Sequence, residues 1–151
     1  MRGWRIGFGI CVLLVAIQAA LPALADDPVA IDNSYQDPTA ESGDQYADEA
    51  VYLGFDAAVV SPPAVQAECS LLVDPVWAWT ATCTSSPPGA LVQLDTLSDD
   101  DFAEVSLTGD TPGSYTVEVT STVTYTTSCG GAATISGTGT ATVYLNCPTC
   151  P

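Results

Sequence analysis

Between Tyr115 and Tyr125 the side chains alternate in character with a period of two. Tyr115, Val117, Val119, Val123 and Tyr125 are separated by Thr116, Glu118, Thr120, Thr122 and Thr124. A helix would scatter these apolar residues around its circumference, whereas a strand puts them all on one face. The threonines on the other face favour extended backbone. After Cys129-Gly130-Gly131 a return strand turns Ile135, Ala141, Val143 and Leu145 inward, opposite Thr134, Thr138, Thr140 and Thr142. Gly137 and Gly139 leave gaps on that inner face, which predicts a bulge or the close approach of a second sheet.

The same pattern extends back along the chain. Val51 to Val60 reads as a first strand, ended by Pro62-Pro63, and Ala67 to Val73 as a second, closed by Asp74-Pro75. Val76 to Cys83 is a third, with Trp77, Trp79, Ala81 and Cys83 on its inner face. Leu91 to Leu97 and Phe102 to Thr108 follow, separated by the turn at Ser98-Asp99-Asp100-Asp101. No stretch beyond the N-terminal segment has a helical period. Short strands with turn signals between them predict an all-β, two-sheet antiparallel sandwich of about seven strands.

The N-terminus reads as a signal peptide over residues 1–25: Arg2 and Arg5, an apolar run from Ile6 to Ala20, then Ala23-Leu24-Ala25 as a small-residue cleavage site. The run is short for a membrane anchor. Both basic residues lie in this segment and all 18 acidic ones follow it, so the exported chain carries no Lys, Arg or His. Side-chain salt bridges are thereby excluded, and nothing can grip phosphate, which argues against a nucleic-acid partner. Anionic membranes repel such a chain, and no membrane insertion is expected after cleavage. Residues 26–50 are polar and acidic with little apolar periodicity, and read as a disordered leader. The remainder divides into a sandwich at 51–146 and a Cys-containing tail at 147–151.

Catalytic chemistry has little to work with. Ser-His-Asp and Cys-His machinery need a histidine, and Schiff-base chemistry needs a lysine. No catalytic residue is assigned, and the chain is not expected to be an enzyme. Asp95, Asp99, Asp100 and Asp101 are the candidate calcium ligands, being hard oxygens with no base to neutralise them; a solvated turn is the plainer reading. No other cofactor is implied. Cys147-Pro148-Thr149-Cys150 is a C-x-x-C pair, but it follows a strand rather than opening a helix, which favours a structural disulfide over redox work.

Val76-Trp77-Ala78-Trp79-Thr80-Ala81-Thr82 resembles the tryptophan-bearing third strand of immunoglobulin-like and PKD-like domains of bacterial and archaeal surface proteins. Asp110-Thr111-Pro112-Gly113-Ser114-Tyr115-Thr116-Val117 resembles the turn and tyrosine that open their sixth strand. The resemblance covers Val51 to Asn146 and implies a core containing Trp77, Trp79, Tyr115, Val117 and Val119. Cys69 stands where the first cysteine of an inter-sheet disulfide would be, but Val117 occupies the second place. The implied topology gathers Cys69, Cys83, Cys147 and Cys150 at one pole as two disulfides, with Cys69–Cys83 preferred. It leaves Cys129 alone at the other pole as the odd thiol, able to staple a disulfide-linked dimer. The function implied is a secreted or cell-surface, non-catalytic structural or adhesion module that contacts a protein or surface polymer. The alternatives are a calcium- or carbohydrate-binding accessory domain, and an extracellular thiol-disulfide protein using Cys147 and Cys150.

Overall fold

The computed structural model describes residues 27–38 and 45–147. The expected signal peptide and the tail from Pro148, with Cys150, lie outside the described residues. Within them the chain is all-β: β1 (Val29–Pro38), β2 (Ala50–Val59), a single 3-10 turn (Ala67–Cys69), β3 (Leu72–Ser85), β4 (Val92–Asp99), β5 (Phe102–Gly109), β6 (Gly113–Thr127) and β7 (Ala132–Leu145). Four strands form one antiparallel sheet in the order β1-β2-β5-β4, and three form the other in the order β3-β6-β7.

The alternation read from the sequence is the packing pattern of both sheets. Val51, Leu53, Phe55, Val105 and Leu107 from the larger sheet meet Tyr115, Val117, Val119, Val143 and Leu145 from the smaller, all but closed to solvent. Burying each such side chain is worth about 1.5–3 kcal/mol relative to exposure. Trp79 is partly buried and packs against this core from β3, and both Trp77 and Trp79 pack against a second cluster of Val29, Ala57 and Val123. Ser121 is fully buried in the same inner row, and its hydroxyl has no hydrogen-bond partner among the described residues.

Tyr115 anchors the start of β6. Its hydroxyl donates to the Thr111 carbonyl at 2.5 Å and accepts from the Thr111 amide at 3.3 Å, closing the turn that joins the sheets. The ring lies against Gly109, where a Cβ would stand 2.6 Å from the hydroxyl oxygen. Burial pushes the Tyr115 phenol above its usual pKa.

Three expectations need correction. The first is that residues 26–50 form a disordered leader: Val29–Pro38 is instead a strand of the sandwich, paired along β2. Its signal is faint because a bulge between Asn33 and Tyr35 breaks the alternation and because an edge strand buries little. The Asn33 side-chain amide bridges the bulge, donating to the Gly54 carbonyl at 2.9 Å and the Tyr35 carbonyl at 3.1 Å. Val29 is fully buried, and β1 lies so close to β7 that a Cβ on Gly139 would sit 2.6 Å from Ile31 Cγ2. The close approach expected at Gly137 and Gly139 is thus present.

The second correction concerns 67–73 and 76–83, expected as two strands. Residues 67–69 form the 3-10 turn, and Leu72–Ser85 is one strand running through Asp74-Pro75. The register shifts between Val73 and Val76, and Asp74 takes a φ of 51°. Pro75 is tolerated because β3 is an edge strand with no second neighbour needing its N–H.

The third correction follows from the second. Splitting β3 at Asp74-Pro75 into two strands, the first of them holding Cys69, reverses the pole at which Cys69 lies. Cys69 precedes β3, where Leu72 pairs with Thr127 at the far end of β6, beside the β6–β7 turn. There it is bonded to Cys129, with Cα atoms 5.2 Å apart. Cys129 is therefore not the odd thiol and offers no dimer bond. Among the described cysteines Cys83 is the free one, and Cys147 is disulfide-bonded.

Candidate binding surface

The two outer faces differ sharply in chemistry. On the three-stranded sheet the register lines up Thr80, Thr120 and Thr138 in one cross-strand row, with Ala78, Thr122 and Ser136 in the next. Thr116 and Thr142 share a hydrogen bond at 3.1 Å, as do Thr124 and Thr134 at 3.1 Å. Glu118 is the single charge among these rows.

On the four-stranded sheet the outward positions are acidic and aromatic. Asp32, Asp56, Phe102 and Asp99 form one row across β1-β2-β5-β4. Tyr35, Gly54, Glu104 and Leu97 form the next, and Asp37, Tyr52, Ser106 and Asp95 the one after. Tyr35 lies over Gly54, which has no side chain to hold it off. Its hydroxyl donates to the Glu104 carboxylate, and its ring stacks on Phe102 with centroids 6.4 Å apart. This pairing sets a 37% exposed tyrosine in one orientation above a field of carboxylates.

That environment pushes the Tyr35 pKa up from 10.0 to about 12. The hydrogen bond to Glu104 is the largest cause, followed by burial and by the charges of Glu104, Asp37 and Asp56. The folded state thus favours the protonated phenol. The resulting stability is fully present below the ordinary phenol pKa and is lost as pH rises through the raised one. In an ultraviolet titration of the folded protein, Glu104→Ala is expected to move one late-ionising tyrosine to lower pH. Superimposable titrations of the two proteins would show that Glu104 does not hold this proton.

The expected metal ligands are not brought together. Asp95 sits mid-strand and accepts from the Gln93 side chain at 3.0 Å, while Asp99 to Asp101 make the β4–β5 turn. Among the described residues no three acidic or thiol groups are placed to hold an ion. Asp100 takes φ 25° in that turn and its carbonyl accepts from Trp79 Nε1 at 2.9 Å. Asp48, Asp74 and Asp100 are the non-glycine residues with positive φ among those described, each an aspartate, a type that tolerates this region. Trp77 and Trp79 serve packing, and neither joins the aromatic cluster around Tyr35.

The Cys69–Cys129 pole carries a groove of about 530 Å³, lined by Pro63, Val65, Gln66, Thr127, Ala132 and Thr134 around the disulfide. None of these side chains is charged, and none is placed as a nucleophile beside a base. The Tyr35 cluster escaped sequence reading because its members come from β1, β2 and β5. The available signal was a tyrosine and a glycine on separate strands, which no local pattern connects.

No protein-family model matches the chain, no curated protein matches it, and no solved structure matches it. Function must therefore be argued from the molecule alone. No helix of the described residues is long and apolar enough to cross a membrane.

Proposed function

We propose that this chain is an exported, non-catalytic binding module built on an immunoglobulin-like sandwich, retained at or near the cell surface. The strand order supports the fold reading: β1-β2-β5-β4 against β3-β6-β7 is the arrangement of constant-type immunoglobulin domains. The Tyr115 hydroxyl bonding back to Thr111 at the start of the sixth strand is a second support, matching the tyrosine corner of such domains. The Cys69–Cys129 bond accords with an oxidising compartment.

The observation that carries the binding reading is the Tyr35–Phe102–Glu104 cluster on a sheet face that no described element covers. A partner protein or surface polymer meets ordered aromatic rings there rather than a purely solvated surface. The exposed Tyr35 ring, backed by half-buried Phe102, also favours a second reading, a carbohydrate-binding accessory domain, because sugar rings stack on such platforms. Both are tested with the exported protein, wild type against the Tyr35→Ala/Glu104→Gln double variant, on the surface fraction of the producing cells. Retention of the wild type and release of the variant supports the module. Competition by soluble oligosaccharides selects the carbohydrate reading. Equal retention of both proteins removes this face from the function, and recovery of the chain inside cells with Cys69 and Cys129 reduced defeats the exported reading.

A further inference from the structure

The sandwich leaves four strand edges, since β1 and β4 border one sheet and β3 and β7 the other. An open edge is a template for another strand, and proteins guard such edges with charge, bulges or covering groups. Three of the four are guarded here. β1 has its bulge at Asn33/Tyr35 and carries Asp32 and Asp37. β4 carries Asp95 and Asp99. β7 has no charge, but its edge is covered: Asp27 accepts from the Thr138 amide at 3.4 Å, Gln36 donates to the Thr142 carbonyl at 3.4 Å, and Tyr46 bridges to Asn146 beyond the strand.

The remaining edge belongs to β3. Asp74-Pro75 guards its start, but Val76–Ser85 has no charged residue, no proline and, among the described residues, no backbone partner besides β6. Val76, which opens this window, is 65% exposed. In a chain with 18 carboxylates, an uncharged, uncovered edge window is conspicuous.

We propose that β3 is an interface at which two copies of this chain join by antiparallel strand addition, making one continuous sheet of β7-β6-β3 and its two-fold mate. Charge selects a second copy as occupant. Two such acidic molecules can approach closely only where both are neutral, and the window on β3 extends a sheet whose outer rows bear the single charge of Glu118. Side-chain size limits the register to axes that oppose the indoles to small residues, and Thr80 is such an axis. In a two-fold pairing, opposed residues must share a face, so the axis passes through a residue rather than between two. With the axis at Thr80, inward Trp77 faces Cys83 and inward Trp79 faces Ala81, large against small. Outward Val76 faces Thr84, and Ala78 faces Thr82. An axis at Trp79 would set that indole against its own copy.

This inference rests on the fold and stands whether or not the Tyr35 face binds a partner. It is tested by sedimentation of the exported full chain in a Cys83→Ser background, which removes the free thiol. The expected mass is twice that of the chain, with the dimer fraction rising with salt as repulsion between copies is screened. Thr80→Glu sets two carboxylates opposite each other on the axis. It is expected to raise the dimer dissociation constant roughly tenfold or more, with the circular dichroism and thermal midpoint of the monomer unchanged. Thr80→Cys is expected to form an inter-chain disulfide on mild oxidation, because opposed residues of an antiparallel pair have Cα atoms about 4.5–5.5 Å apart; Ser136→Cys on β7 is not. A monomer at every salt and protein concentration overturns the proposal. So does a dimer indifferent to Thr80→Glu, or a monomeric chain that takes up a synthetic peptide of residues 74–85, which would make the edge a site for a foreign strand.

Discussion

Serine at both Cys69 and Cys129 is expected to lower the unfolding free energy by about 4 kcal/mol. The bond joins residues 60 apart in sequence, linking the turn before β3 to the β6–β7 turn across the whole central part of the chain. Opening a loop of that length frees much conformational entropy in the unfolded state. A domain of this size has only about 5–15 kcal/mol in hand. The chain has no basic side chain after Arg5, so among the described residues no ion pair between side chains offsets the mutual repulsion of the carboxylates. Urea unfolding of the double variant should show a lower midpoint, and reduction of the wild type should reproduce much of the loss. Added salt should restore part of the stability in both proteins without closing the difference between them. A loss below about 1 kcal/mol would mean that the loop is already constrained in the unfolded chain.

The second large effect is expected at Gly137. A Cβ there would overlap the carbonyl oxygen of Val29 and stand 3.0 Å from the Val29 Cβ. Backbone cannot swing aside as a side chain can, so Gly137→Ala must push β1 away from β7. The expected cost is about 3 kcal/mol, at the upper end of overpacking changes. It should be accompanied by faster hydrogen exchange along β1 than along β6. Gly139→Ala meets Ile31 instead, 2.6 Å from Cγ2 and 2.8 Å from Cβ; side-chain rotation frees only Cγ2, and the cost is expected to be lower because the nearest backbone atom, the Ile31 oxygen, stands off at 3.2 Å. Equal costs at the two positions would show that β1 yields as a unit and that the Val29 backbone is not the hard contact.

These two sites also mark where local reading succeeds and where it stops. The alternation around Val117, Val119 and Val143 is written residue by residue, because a strand with one buried face must alternate. It named both the strands and the side chains that fill the core. The missing side chains at Gly137 and Gly139 were visible in the same way, as gaps in an otherwise apolar row. Which segment fills those gaps was not visible. β1 contributes little apolar surface and changes face at Asn33, so nothing in its own residues separates it from an acidic leader. Asp74-Pro75 reads locally as a stop, yet on an edge strand it is only a bulge, and whether a strand lies at an edge is known only once its neighbours are.

The cysteines show the cost of that ignorance. Their pairing depends on which pole each occupies, and the pole reverses with every strand counted. Merging two expected strands into β3 moved Cys69 from beside Cys83 to beside Cys129. The Tyr35 cluster has the same character, since its tyrosine, glycine, phenylalanine and glutamate meet only across three paired strands. By itself, then, the sequence determined the all-β class, the inward face of each strong strand, the acidic surface and the absence of histidine and lysine, since each is a property of neighbouring residues or of composition. The tertiary structure alone decided where strands begin and end around β1 and β3, the disulfide partner, the aromatic cluster and the unguarded edge among the described strands, because each depends on which distant segments pair.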